Sequence, residues 1–138
     1  MKAKLSEILM GLEFRNSENA AFLNIKTGEV VLVSDPDITG DDGHDIEYYD
    51  ASEDYISLPD DFDINEYRMM QKFIRGITDD NIARTLSISI DGNGAFRRFK
   101  EHLYHLGIQD EWFAYRDNEY KQIAIDWCKE NNINYIED

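Results

Sequence analysis

The stretch Ile90–Arg116, IDGNGAFRRFKEHLYHLGIQDEWFAYR, decides how the second half of the chain is read. Gly92 and Gly94 form a break. Phe96, Phe99 and Leu103 then resume helical spacing, and Leu106 extends it. Gly107 is placed as a helix stop, and Asp110 as a cap for the next helix. The same stretch holds two of the three histidines and one of the two tryptophans. It therefore sets both a helical architecture and a chemically unusual surface.

Working outward, the helical texture continues on both sides. Upstream, Asp63-x-x-Glu66 has the form of a capping box. Tyr67, Met70, Phe73, Ile74 and Ile77 then make an apolar stripe, with Arg68, Lys72 and Arg75 off it. Thr78 is placed to cap a second helix, in which Ile82, Leu86 and Ile90 face inward. Leu86–Ile90 also alternates as a strand would, but helix is the favoured reading. Downstream, Trp112, Phe113 and Tyr115 followed by Tyr120, Ile123, Ala124 and Trp127 read as a last amphipathic helix or a kinked pair, ended by Asn131-Asn132.

The first 58 residues read differently. Leu5, Ile8, Leu9 and Leu12 mark one face of a helix over residues 4–14. Residues 20–25 and 29–33 flank Lys26-Thr27-Gly28 as a β-hairpin. Two strands alone are marginal, so a third is required; Tyr55–Leu58, stopped by Pro59, is the candidate. The acidic segment 34–54 reads as a surface loop. The fold class is α+β: an N-terminal helix and a short antiparallel hairpin or meander, packed on a C-terminal helical region of three to five helices. At 138 residues, one domain over 1–138 is expected, its texture changing between residues 58 and 59.

Charge narrows the function classes. The net charge of −15 is distributed as zero over residues 1–33, −13 over 34–66, +3 over 67–108 and −5 over 109–138. Bulk attraction to nucleic acid or to an anionic membrane is disfavoured. No apolar run reaches the length of a membrane span, and Met1–Leu12 lacks the layout of a signal peptide; cytoplasmic residence is the expectation. The single cysteine, Cys128, excludes an intramolecular disulfide and a cysteine-built zinc site; beside Trp127 it reads as packing.

Two calcium-loop readings fail on their last position. Asp35-x-Asp37-x-Thr39-Gly40 copies the first half of such a loop, but Ile46 stands where a bidentate Glu belongs. Asp91-Gly92-Asn93-Gly94 ends in Lys100 on the same alignment, with Arg97 and Arg98 opposing a cation. The opposite sign fits better. A glycine turn, a helix start and Arg97, Arg98 and Lys100 are the parts of a phosphate or carboxylate site, although the Walker and dinucleotide spacings are absent. The competing reading is that these cations pair with the protein's own 29 acids. His102 and His105 share a helix side but lack a third metal ligand at a recognised spacing.

Several strings resemble Uncharacterised Protein Family 0158, a group of small bacterial proteins. They are Leu58-Pro59-Asp60 with Glu66-Tyr67 and Met70, Gly94–Lys100, Leu106-Gly107-Ile108 with Glu111-Trp112 and Arg116, and Ile123-Ala124-Ile125 with Trp127, Glu130-Asn131 and Ile133. The N-terminal helix and the hairpin around Thr27-Gly28-Glu29 are also similar. The resemblance covers nearly the whole chain, with Asn93 departing where family members often carry a base. It implies fold boundaries and brings no activity, substrate or catalytic residue.

The favoured reading is a small non-enzymatic binding or regulatory protein. Its recognition surface is expected at Arg97, Arg98, Lys100, Trp112 and Arg116. The expected partner is a protein or a small anion, with no cofactor, metal, nucleic acid or membrane. The alternative is a small enzyme acting on a phosphorylated or nucleotide substrate, with His102 or His105 as acid–base. A third possibility is a charge switch, in which residues 34–66 cover the basic patch until a partner displaces them.

Overall fold

A computed structural model describes residues 1–16, 19–34 and 45–138. The chain divides into two compact units, Met1–Ile64 with Tyr120–Asp138, and Asn65–Glu119. The architecture is α+β, with a small antiparallel sheet, a parallel strand pair and a helical C-terminal region. Residues 35–44 of the acidic segment lie outside the described residues, and with them the Asp35–Gly40 motif.

In the first unit the apolar strings form the expected hairpin, β2 (Ala20–Asn24) and β3 (Val30–Val33), paired Ala20↔Val33 through Leu23↔Val30. The third strand, β4 (Tyr55–Ser57), pairs antiparallel with β2, so the order is β3-β2-β4 rather than that of a meander. Ala20–Leu23 are all buried, because the central strand is covered on both faces. Helix α1 (Leu5–Phe14) approaches one face at Gly11. A Cβ there would stand 2.6 Å from Leu58 Cδ2, 3.2 Å from Val30 Cγ1 and 3.3 Å from Ala21 Cβ. Glycine in a helix costs about 1 kcal/mol of propensity, and here the close approach is what it provides. The other face carries Ala20, Phe22 and Val33 packed on Tyr49. Tyr49 stacks on Phe22 at 5.4 Å and meets Tyr55 edge-on at 4.8 Å.

Tyr49 comes from a helix that composition does not announce, α2 (Ile46–Ala51), inside the stretch read as loop. Asp45 caps it by accepting the Tyr48 N–H at 3.0 Å. A second short helix, α3 (Asp61–Ile64), corrects the capping box. Asp60 accepts the Asp63 N–H at 2.9 Å, and Asp63 accepts the Asp60 N–H at 3.3 Å. The reciprocal pair is thus Asp60 and Asp63, one element before the place expected. The Asp63 N–H, helped by Arg15, holds the Asp60 carboxyl below its ordinary range against the opposing effect of burial.

The two ends of the described chain meet. Strand β1 (Ala3–Lys4) pairs in parallel with β5 (Tyr135–Ile136). Lys4, at the N-cap position of α1, supplies no side-chain bond to that helix. The Asp138 carboxylate takes the role instead, accepting the Ser6 N–H at 2.9 Å and the Ser6 hydroxyl. These bonds, the hydroxyl's first, hold the Asp138 carboxyl below its ordinary range.

In the second unit, α4 (Glu66–Arg75), α5 (Asp80–Ser89) and α6 (Ala95–Leu106) precede the start of α7 (Gln109–Glu130). The last of these is a single helix, with residues to Glu119 grouped here and those from Tyr120 on in the first unit. Asn65 caps α4 in the left-handed conformation, accepting the Arg68 N–H at 3.1 Å. Asp79, not Thr78, caps α5 through the N–H groups of Asn81 and Ile82. Asp110 lies within the first turn of α7 rather than ahead of it. Phe73, Phe99, Trp112 and Tyr115 form an aromatic cluster, Phe99 and Trp112 meeting edge-on at 4.9 Å. Among the described residues no helix is long and apolar enough to cross a membrane.

Gly11→Val will lower stability by about 1–3 kcal/mol through overpacking, despite the removal of a helix glycine. Urea unfolding reads this as a shifted midpoint; an unchanged midpoint would show that α1 can retreat from the sheet. Asp138→Ala will destabilise at neutral pH. A depressed carboxylate contributes stability above its ordinary pKa and loses it as pH falls through the lowered folded value. The gap between variant and parent should therefore narrow as unfolding is followed toward acid.

Candidate functional site

Helix α5 ends where Ile90 and Asp91 donate back to the Leu86 and Ile88 carbonyls, each at 3.3 Å. The chain then turns through Gly92 and Gly94, both left-handed with φ of 81° and 80°. Gly94 sits at the N-cap position of α6, and its carbonyl accepts the Arg98 N–H at 3.1 Å. Its missing side chain has a second use, since a Cβ would lie 2.9 Å from Arg98 Nη1.

Arg98 fills the turn. Its Nε donates to the Ser89 carbonyl at 2.9 Å and its Nη2 to the Asp91 carbonyl at 2.7 Å. Nη1 donates to the Asn93 carbonyl, and Nη2 reaches the Gly92 carbonyl at 3.5 Å. The last carbonyls of a helix lack intrahelical donors and carry partial negative charge. The guanidinium thus meets the C-terminal end of α5 with a charge of the right sign. Of the two readings of this side chain, ligand donor or internal partner, the hydrogen bonds realise the second, with carbonyls in place of acids.

The other expected site residues separate into two groups. Trp112 is only 2% exposed, inside the aromatic cluster, and is therefore core and not contact surface. Arg116 is half-buried and paired through Nε with Glu66 at the start of α4. Arg97 and Lys100 are exposed on α6, with Arg97 Nη1 3.5 Å from Glu101. The structure thus leaves Arg97 and Lys100 of the five on one open helix face.

That face carries two aromatics not expected there, Phe96, which spacing placed inward, and Tyr104. Phe96 is 44% exposed and Tyr104 is 68% exposed. The inward stripe of α6 is Ala95, Phe99 and Leu103, so Ala95 takes the place expected for Phe96. The signal was present in the spacing of Phe96, Lys100 and Tyr104, each four residues from the next. His105 is exposed with its ring 5.6 Å from that of Tyr104, and His102 is half-buried.

Elsewhere, burial pushes the Cys128 thiol up to about 11, which disfavours the thiolate needed for nucleophilic work. Burial, then the hydrogen bond and charge of Glu119, push Tyr115 up to about 12. Among the described residues no three His, Cys, Asp or Glu side chains converge as metal ligands would. Four surface grooves lined by described residues include none of Arg97, Arg98, Lys100, His102 and His105.

Comparison with known proteins matches residues 3–138 to the model of an uncharacterised protein family, UPF0158. The chain belongs to this family. A curated UPF0158 protein of Pseudomonas aeruginosa is 30% identical over 67 residues, 47% of this chain. The match spans 43% of that relative, less than half its length. No solved structure matches the chain. The family resemblance read from Gly94–Lys100 and the flanking strings is thereby shown.

Arg98→Lys will remove the forked contacts to the α5 carbonyls and cost about 1.5–3 kcal/mol, the scale of a hydrogen bond to a charged group. Arg97→Ala, which loses one exposed ion pair, will stay within about 0.5 kcal/mol of the parent. Chemical denaturation of both variants side by side checks the contrast.

Proposed function

We propose that the protein is a non-enzymatic binding or regulatory module whose recognition surface is the outward face of α6. The observation that carries this reading is one open stripe: Phe96, Lys100, Tyr104 and Arg97, the last paired with the exposed Glu101 beside it, on a chain of net charge −15. Tyrosine and arginine are enriched among the residues that dominate protein interfaces, because a flat amphipathic body adds contact area at low entropic cost. A convex helix face presenting them, outside the four grooves lined by described residues, suits a protein partner better than a small substrate. Arg98, Trp112 and Arg116 support this surface from within, by fixing the α6 start, the aromatic cluster and the α4 start.

The test is capture of partners from the native host by the full chain, compared with the double variant Arg97→Glu, Lys100→Glu and with Tyr104→Ala. All three positions are exposed, so folding should be retained and can be confirmed by thermal unfolding. Partners lost on the α6 variants but kept by Phe62→Ala, an exposed aromatic in the other unit, would support the reading. Partners equally retained on all variants would overturn it. A rise in melting temperature with phosphate or nucleotide, lost in the Arg97→Glu, Lys100→Glu variant, would transfer the same face to a small anion.

A further inference from the structure

A second surface in the 65–119 unit has the opposite chemistry. A groove of about 500 Å³ is floored by Phe73, Ile77, Ile82, Ile108 and Tyr115, all of them half-buried. Its polar groups sit at the rim, and two of them are already paired. Lys72 lies 3.4 Å from Glu119, and the Tyr115 hydroxyl is bonded to the same carboxylate. Asp79 and Glu111 line the groove, with Asp80 and Asp110 exposed beside them in the first turns of α5 and α7. Arg75, close enough for its charge to act on Tyr115, is a cation on that side. Five carboxylates against Lys72 and Arg75 leave the rim negative, even after the helix starts are offset.

We propose that this groove docks a basic amphipathic helix of a partner protein. A predominantly apolar floor gives little to orient a small molecule, whose sites place a few polar groups at fixed positions. It fits apolar anchors at i, i+3 or i+4 and i+7 of a helix laid along it. The acidic rim selects lysine and arginine on the flanks of that helix and raises the association rate. A second copy of the chain is the wrong occupant on charge, since each copy carries −15. This surface is independent of the α6 face, so either can fail alone.

The probe is a short labelled helical peptide with leucines on one face and lysines on the other, titrated into the full chain at near-physiological salt. Two controls have the same composition scrambled, and the same apolar face with glutamates for lysines. The basic amphipathic peptide should bind at least about tenfold tighter than either control. Glu111→Lys, at an exposed position, should weaken it by several-fold, and Ile82→Glu by about tenfold or more. Binding of the scrambled peptide as tightly as the patterned one would reduce the effect to bulk charge and overturn the proposal. So would affinity unchanged by Glu111→Lys, or a dimer of the free protein that Glu111→Lys dissociates.

Discussion

The guanidinium of Arg98 is the interaction on which the helical unit depends. A helix that ends in solvent can leave its last carbonyls to water. Here the chain must also reverse within five residues, Ile90–Gly94, and start another helix. Those requirements crowd the carbonyls of Ser89, Asp91, Gly92 and Asn93 together, and one planar cation answers all of them. Rotation of α6 then follows. With position 98 turned toward the end of α5, helical geometry places Ala95, Phe99 and Leu103 inward and Phe96, Lys100 and Tyr104 outward. The adjacent Arg97, about 100° further round the helix, is left to solvent.

Most of the helical elements were legible because their apolar stripes are long. The stripes of α1, α4, α5 and α6 each recur over about three turns, and the hairpin is announced by β-branched runs around a glycine turn. The parallel pair of β1 and β5 was not legible, since two-residue strands at opposite ends carry no periodicity. Nor was α2, where acidic composition hid a six-residue helix anchored by Tyr49 alone among its buried side chains. The candidate site was legible in place and partly misread in orientation. Spacing alone assigns Phe96 to the core as readily as Ala95, because large side chains weigh more than small ones in a hydrophobic pattern. Likewise Trp112 advertises itself by type, while its burial depends on Phe73 and Phe99 from other helices.

The sheet unit solves a different problem with similar means. A central strand covered on both faces must be apolar throughout, and Ala20, Ala21, Phe22 and Leu23 satisfy that without alternation. Small residues occur where the backbone of α1 comes close, and aromatics where the short α2 must fill space. Gly11 and Tyr49 are the two sides of one constraint. A three-stranded sheet is too small to bury itself, so each face borrows an element, and each borrowed element contributes a residue shaped to its distance.

Electrostatics separates α6 from the other helices. Among the described residues, α1, α2, α3, α4, α5 and α7 each carry an acid in the first turn, where the helix dipole favours one; α6 carries none. It has Arg97 and Arg98 there instead. Each cation at a helix start is disfavoured by about 0.3–1 kcal/mol. Arg98 escapes by reaching back to the negative end of α5, so its placement is accounted for within the fold. Among the described residues Arg97 has an exposed partner one turn on, Glu101, and such pairs return about 0.3–0.5 kcal/mol. An acidic chain with carboxylates at six other helix starts had ready material for an acid at this one. Among the described residues, then, nothing beyond that pair offsets the cost of the cation that α6 presents at its least favourable end.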